Sequence, residues 1–470
     1  MFYFCRVTTL KILFEYFHFS FIQYTKTRRS FVSSMTGLFN LLHTANSMLW
    51  NGPLLLFLLF THIYFTKHTG FVQKRLPLAI KLSVSGENKE GGLGAFASLT
   101  TTLAATLGTG NIIGLSTAVA IGGPGAVFWC WITGVLGMAT SYAECRLNMK
   151  YREKRVDGSF CGGPMYLISH RLHAPKTARL YAYLLLISAF CVGCSTQSRA
   201  ATETIHTLFD LPSFPVGFCL ALVITIVLLG KVAGIGTLCS FLVPFMGGFF
   251  LLSCVILLFI NIEHLADALK LIFTSAFSLS SVTGGFLGSS FLLAARQGIA
   301  RGLFTNEAGL GSAPVAAANS SGEAEKQALV LMSATFWDTV VMCGITGIVI
   351  VCSGLAVPGL FHNVSPGDYT LAAFSLLPFA GDKLLGIAIV LFAVATLLGW
   401  CFFGEKAVEF LFGAEHITSY RFLYCLMVFF GSQMTMTLIW ELSDFFNALM
   451  FLTNVTSLFL LRKELTQDIS

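Results

Sequence analysis

Four residues, Gly108-Thr109-Gly110-Asn111, interrupt an apolar run that extends from Leu99 to Gly114. A plain membrane anchor would carry Leu or Val there. Glycine weakens a helix by roughly 1 kcal/mol relative to alanine. Backbone groups freed by a break at bilayer depth must find new partners. The N–H groups at the start of the second half-helix, with its positive dipole end, suit a carboxylate. The carbonyls freed at the end of the first half suit a cation. The alternatives are glycine that serves close helix packing and a nucleotide loop. The latter pattern, G-x-G-x-x-G, fails at Ile113, and no strand precedes it.

A second constellation is Arg301-Gly-Leu-Phe-Thr-Asn-Glu-Ala-Gly-Leu-Gly-Ser-Ala-Pro314. Asn306 and Glu307 are costly in a membrane unless they face protein, water or ions. Gly309, Gly311 and Pro314 oppose a continuous helix. Asn306 can offer a side-chain oxygen to a cation, and freed carbonyls can accept an ammonium. The alternative is an exposed cytoplasmic loop. The third constellation is Thr396-Leu-Leu-Gly-Trp-Cys-Phe-Phe-Gly-Glu405. The Thr396 hydroxyl suits a hard cation that takes oxygen ligands. Trp400 is a bulky lid that leaves room for a small ligand, or else an interfacial belt residue.

Asp338, Gln197, Arg199, Asp444 and Asn447 are polar residues within apolar runs. Each reads as a gate, a proton carrier or hydrogen-bonding glue between helices. Cys191-Val-Gly-Cys194 has no second cysteine pair and reads as packing. Enzyme motifs are missing: there is no G-x-x-x-x-G-K-[ST], H-E-x-x-H or G-x-S-x-G. ATP is therefore not expected as an energy source, and an ion gradient or passive flow is.

The elements that position these residues follow from composition. The chain has 470 residues, 55% hydrophobic and 11% charged, whereas soluble domains carry about 25% charged residues. Lipid is the expected solvent. The net charge of +6 is spread over short loops and forms no nucleic-acid patch. Apolar runs of about 20 residues mark spans. They are Trp50–Thr66, Gly94–Ile121, Gly125–Met149, Ala178–Thr207, Phe214–Gly230, Gly236–Ile262, Gly284–Asn319, Ala328–Val357, Lys383–Gly413, Thr418–Ser432 and Thr435–Leu461. Gly284–Asn319 is expected to be a broken helix preceded by a re-entrant stretch near Leu271–Phe277.

Basic residues cluster in alternate loops. Lys67, Lys74, Arg75, Lys81 and Lys89 lie in the first; Arg146, Lys150, Arg152, Lys154, Arg155, Arg171 and Lys176 lie in the third. The positive-inside rule puts both in the cytoplasm. Residues before Trp50 then lie outside and the Lys463 tail inside. Arg6, Lys11, Lys26, Arg28 and Arg29 conflict with that orientation. Residues 1–34 are therefore expected to be an extension ahead of a translation start at Met35, the alternative being an amphipathic leader.

At these residues the chain resembles the alanine or glycine:cation symporter family, also called sodium:alanine symporters. The match is carried by Ala104-Ala-Thr-Leu-Gly-Thr-Gly-Asn-Ile-Ile-Gly114 with Gly122-Gly-Pro-Gly-Ala-Val-Phe-Trp129, by Arg301–Pro314, and by Gly399-Trp400 with Gly404-Glu405. The resemblance implies an all-α integral membrane protein of about eleven helices. Its fold would be the leucine-transporter type, a five-plus-five inverted repeat with one additional N-terminal helix. Residues 35–90 would hold that helix and a basic cytoplasmic loop. The transporter core would be 91–463, with repeats 91–262 and 270–463, and 464–470 a cytoplasmic tail. The resemblance further implies a bacterial cytoplasmic (inner) membrane and uptake of alanine or glycine. The coupling ion would be Na+ or H+, with no covalent cofactor.

By position, the resemblance places Thr109, Gly110 and Asn111 in the first broken helix, and Phe304, Thr305, Asn306, Ala308 and Gly309 in the second. Gln197 and Trp400 are implied as walls of the substrate pocket and Thr396 as a sodium ligand; the cation is expected near Gly108 and Thr396. Two departures stand out: Ala395 replaces a family serine, and Arg199 stands where asparagine is usual. The expected mechanism is alternating access with a zwitterion between the breaks. A passive channel, or a transporter of another small amino acid coupled to protons, is the alternative.

Overall fold

The computed structural model describes residues 37, 39–84, 95–155, 160–229, 235–278, 291–320, 322–378 and 380–465. The extension 1–34, the junction at 90–91, Lys89 and the end of the 464–470 tail lie outside the described residues. The chain divides into two units, Met1–Met48 and Leu49–Ser470. In the first, residues 39–48 are helical. All that follows concerns the second.

The second unit is helical almost throughout. Its helices are α1 (Pro53–His68), α2 (Leu76–Val84), α3 (Ala95–Thr106), α4 (Ile113–Gly122) and α5 (Gly125–Lys150). Then come α6 (Pro175–Phe209), α7 (Ser213–Leu229), α8 (Ile235–Ile260), α9 (Leu265–Ser275), α10 (Phe291–Asn306) and α11 (Ala313–Ala318). The last are α12 (Ala324–Ala356), α13 (Tyr369–Phe374), α14 (Gly381–Phe412), α15 (Ile417–Gln433) and α16 (Met436–Leu460). A two-residue antiparallel pair, Glu153–Lys154 with Phe160–Cys161, follows α5.

Among the described residues, five uninterrupted helices are long and apolar enough to cross a bilayer: α5, α6, α8, α12 and α14. Other expected spans are shorter, such as α7, or broken, as where α3 gives way to α4. The stretch near Leu271–Phe277 is the end of α9, closed by a turn at Ala276 whose carbonyl accepts the Trp129 indole N–H at 3.1 Å. α6 and α12 each contain a π-helical segment, Ala189–Ser195 and Phe336–Cys343.

α5 is the centre of the packing, with α10, α12, α11 and α1 against it. α14 packs on α6, α8 and α3, and α7 on α15. Lipid tails are as apolar as Leu, so association rests on close fit and hydrogen bonds. Gly298 and Gly302 of α10 supply that fit: a Cβ at Gly302 would lie 3.0 Å from Thr133 of α5. The outer faces are apolar; Phe241 and Phe259 of α8 are 74% and 71% exposed.

The basic loops meet at one end. Arg75 and Arg146 share Glu325 at 2.5 and 3.2 Å. Arg155 pairs with Glu409 at 2.5 Å and Arg171 with Glu464 at 2.7 Å. Arg152 caps the chain after α11, donating to the carbonyls of Ser320 and Gly322.

Candidate functional site

The first break has a local cause. The ladder of α3 ends at Thr106, and Gly108 is extended, with φ −111° and ψ −164°. A single 3₁₀ turn, Thr109–Asn111, leads into α4, and the chain bends by 59°. The freed groups are partly satisfied by side chains. The Gly108 N–H donates to Asn111 Oδ1 at 3.2 Å. Gln197 Oε1 accepts both the Thr109 N–H at 3.0 Å and the Thr109 hydroxyl at 2.9 Å. Thr396 of α14 donates to the Ala104 carbonyl at 2.9 Å, with the Leu107 carbonyl at 3.5 Å. A Cβ at Gly108 would lie 2.8 Å from Thr396 Oγ1 and 3.1 Å from Gln197 Oε1. Gly108, Gln197 and Thr396 therefore converge on one point.

The second break lies between α10 and α11. Glu307, Gly309 and Gly311 have φ of 55°, 92° and 81°, a region that favours glycine and costs free energy for other residues. The Glu307 carboxylate accepts hydrogen bonds from Ser312 and from the Trp400 indole. The Asn306 oxygen accepts the Ala308 N–H at 2.9 Å. Its Nδ2 is buried with no protein partner. The Asn306 oxygen thus accepts one hydrogen bond, and the leftover amide group is a donor, which suits an anion.

The breaks touch each other. A Cβ at Gly110 would lie 3.0 Å from the Phe304 ring and 3.1 Å from Thr305 Cγ2. Glycine at 110 lets the first break seat against the side chains of Phe304 and Thr305. Thr396 reaches the first break and Trp400, one turn later on α14, reaches the second. Trp400 is fully buried, its Cβ pressed against Gly193 of α6. Gly309 is turned the other way. Its Cα faces Phe451, and its carbonyl accepts Asn454 Nδ2 at 2.9 Å. Ala308 faces Gly137 of α5. All the residues expected at the site are buried.

Arg199 is directed away from the convergence of Gly108 and Thr396. Its Nε pairs with Glu203 at 3.2 Å, and Nη1 donates to the Ser432 carbonyl at 3.3 Å. Ala395 is fully buried and adds no oxygen ligand beside Thr396.

A cavity of about 240 Å³ opens beside the site, lined by Ile113, Thr117, Glu203, Asp368, Thr437 and Trp440 among others. Burial, and then the nearby Glu203 charge, raises the Asp368 carboxyl above the usual carboxylate range. Trp440 separates the cavity from the breaks: its ring lies 4.8 Å from Phe304, edge to face. Arg301 stacks on Trp440 at 4.2 Å and pairs with Asp444 at 2.8 and 3.0 Å.

Sequence reasoning missed two partners of the second break. Glu144, in mid-α5 and fully buried, accepts Asn454 Nδ2 at 3.0 Å, and the same amide donates to the Gly309 carbonyl at 2.9 Å. Tyr181 donates to the Leu310 carbonyl at 2.8 Å. A charged residue deep in an apolar run was the available signal for Glu144; nothing in the spacing marks Tyr181.

The sequence model of the "Sodium:alanine symporter family" matches residues 35–470. "Sodium/alanine symporter AgcS" of Methanococcus maripaludis is 39% identical over 432 residues, 90% of this chain and 94% of that protein. An uncharacterized transporter of Haemophilus influenzae is 38% identical over 433 residues, 91% of this chain and 95% of its own. Among solved structures, MhsT in complex with L-phenylalanine superposes with a TM-score of 0.54 at 14% identity, covering 77% of this chain and 89% of that one. The last likeness concerns the fold alone.

Proposed function

We propose, from the premise that the chain belongs to the sodium:alanine symporter family, that it carries alanine or glycine into the cell by alternating access. It is a multi-pass membrane protein and a cation-coupled amino-acid symporter, not an enzyme. In the proposed bound state the zwitterion lies between the two breaks. Its carboxylate meets N–H groups near Gly110 and Asn111, and also the Asn306 amide. Its ammonium meets carbonyls near Phe304–Ala308. Gln197 and Trp400 bound the space.

Sodium is the proposed coupling ion. The oxygens that would hold it are Thr396 Oγ1 and the Ala104 and Leu107 carbonyls, beside Gly108. These are neutral, hard donors of the kind that suit sodium. An ion there ties α3 to α14, so ion and substrate each tighten the other's binding. The proposed setting is a bacterial cytoplasmic membrane. The basic end formed by Arg75, Arg152, Arg155 and Arg171 would face the cytoplasm, and the cavity above Trp440 would face outward.

The observation that carries this reading is the contact of Gly110 with Phe304 and Thr305. Two interrupted helices meet there inside the protein. The test is uptake of labelled alanine and glycine into proteoliposomes, with sodium and pH gradients imposed separately. Uphill, saturable, sodium-driven accumulation is expected. Non-saturating flux without accumulation would instead establish a channel, and accumulation driven by pH alone would replace sodium with the proton.

A further inference from the structure

A turn, Val72–Arg75, and the short helix α2 precede the first broken helix at the basic end. One of their faces is at once apolar and cationic. Phe71, Lys74, Leu78 and Lys81 are exposed and recur at intervals of three, four and three, the spacing of a single helix face. Val72, Ala79 and Ser83 are buried on the other side. Arg75 meets Glu325 at 2.5 Å and Ser83 meets Ser333 at 3.0 Å. α2 therefore advances in step with the start of α12. It also packs on α3, the first half of the first broken helix.

Phe71 has φ 60° and ψ 53°, a left-handed conformation that is strained for a bulky residue. Its ring is nonetheless 49% exposed, with the Lys74 ammonium 5.5 Å from its centre. Among the described residues, no carboxylate pairs with Lys74, with Lys81 or with Lys67 at the end of α1, whereas Arg75, Arg155 and Arg171 are all paired. Bulk water suits the lysines but not Phe71 and Leu78. Acyl chains suit Phe71 and Leu78 but not the ammonium groups. The headgroup layer suits both, since the apolar side chains enter the acyl boundary while lysine stems carry their charges out to phosphate. A headgroup of net negative charge also answers the unpaired cations.

We propose that the face formed by Phe71, Lys74, Leu78 and Lys81 is a docking surface for anionic phospholipid headgroups of the cytoplasmic leaflet, and that their binding stabilises the packing of α2 on α12 and α3. The lysines meet the phosphates, and Phe71 and Leu78 anchor the surface in the acyl boundary. The inner half of the first broken helix is thereby steadied by the membrane itself. The choice of leaflet rests on the reading that places this end in the cytoplasm.

The test is thermal melting of the full-length protein in neutral detergent. It is titrated with short-chain phosphatidylglycerol, with phosphatidylcholine of the same chain length, and with glycerol phosphate, which has no acyl chains. Wild type, Lys74→Gln/Lys81→Gln and Lys176→Gln are compared; Lys176 is an exposed cation of the third basic loop, outside this face. Phosphatidylglycerol is expected to raise the melting temperature saturably, and the other two compounds at the same concentration are not. Each lysine at an anionic lipid surface contributes about fivefold in affinity. The half-saturating concentration should therefore rise about 25-fold in the double variant and stay within about twofold of wild type in Lys176→Gln. Lys74→Arg/Lys81→Arg, which keeps the charge, should titrate like the wild type.

Equal stabilisation by phosphatidylcholine, or an unchanged half-saturation in the double variant, would overturn the proposal. So would a shift in Lys176→Gln as large as in the double variant, which would mean a diffuse positive potential and no docking surface. Stabilisation by glycerol phosphate at the same concentration would give the lysines to a soluble anion, and lipid-free dimers abolished in the double variant would give the face to a second copy; either result overturns it. Should the double variant not fold, Phe71→Gly takes its place, since glycine accepts the left-handed backbone and leaves every charge. Its half-saturation for phosphatidylglycerol must rise, because no ring enters the acyl boundary, and an unchanged value overturns the proposal. If the topology in proteoliposomes puts this end outside the cell, the orientation fails, while the titration in detergent still decides whether the face binds anionic lipid.

Discussion

The contact between α14 and α3 offers the most quantitative handle on the ion site. A Cβ at Gly399 would lie 2.7 Å from the Ala105 nitrogen, 2.8 Å from its Cα and 2.9 Å from its Cβ. Non-bonded carbons settle at about 3.5–4.0 Å, and the opposing atoms are mostly backbone, so no side chain can rotate out of the way. In Gly399→Ala the two helices must separate by roughly 0.7 Å to restore a contact of about 3.5 Å. Thr396 lies one turn earlier on the same face. Its 2.9 Å bond to the Ala104 carbonyl would stretch to about 3.6 Å, beyond hydrogen-bond range. The oxygens proposed to hold sodium would be spread by the same amount. Overpacking of this kind costs about 1–3 kcal/mol. If about 1.4 kcal/mol of it falls on the ion-bound state, half-saturating sodium rises about tenfold. The assay is the sodium dependence of labelled alanine uptake in proteoliposomes, with Gly247→Ala as control, since a Cβ at Gly247 meets nothing within 4 Å. A Gly399→Ala protein whose half-saturation stays within about twofold of wild type, a change under ~0.5 kcal/mol, would refute the idea that this helix contact sets the ion site.

Three further outcomes are expected. Trp400→Ala removes a fully buried ring and the indole partner of Glu307. It should destabilise the protein by about 3–5 kcal/mol and admit larger amino acids in competition uptake; an unaltered substrate range removes Trp400 from the pocket wall. Asp444→Asn leaves Arg301, a mostly buried cation stacked on Trp440, without its carboxylate. Breaking a fully buried pair costs about 3–5 kcal/mol, less here because Asp444 keeps some exposure, and alanine should dissociate faster in a filter-binding chase. An unchanged dissociation rate would show that the ion pair does not close the site. Arg199→Asn should leave half-saturating sodium within about twofold of wild type, because Glu203 and Ser432 already hold the guanidinium; a larger drop would mean that its charge reaches the ion.

The breaks were legible in the sequence because they are chemically anomalous. Gly108, Gly110, Gly309 and Gly311 stand where apolar helix formers are the rule, and the chain leaves the helix at each place. The apolar period also foretold most helix ends to within a few residues, from α5 to α16. Partnership was not legible. Nothing in the spacing says that Gln197 reaches Thr109, that Glu144 accepts Asn454 beside the second break, or that Asn111 reaches Asp338. Those pairs are 88, 310 and 227 residues apart, and no local pattern encodes a contact across that separation. Arg199 marks the same limit from the other direction. Its guanidinium pairs with Glu203, four residues on along α6, and reaches the Ser432 carbonyl of α15, a partner that no local pattern encodes.

What the sequence could not supply is therefore the geometry that makes two breaks into one device. α14 touches the first break through Thr396 and the second through Trp400, a single turn apart. α12 touches the first through Asp338, which accepts Asn111 Nδ2, and the second through Thr339, whose hydroxyl lies 3.4 Å from that of Thr305. Each break is thus held by two helices that also hold the other. A group that binds at either place changes the freedom of both, and by linkage the effect is mutual. A rigid pore would need no such doubling; coupling of an ion to a solute does.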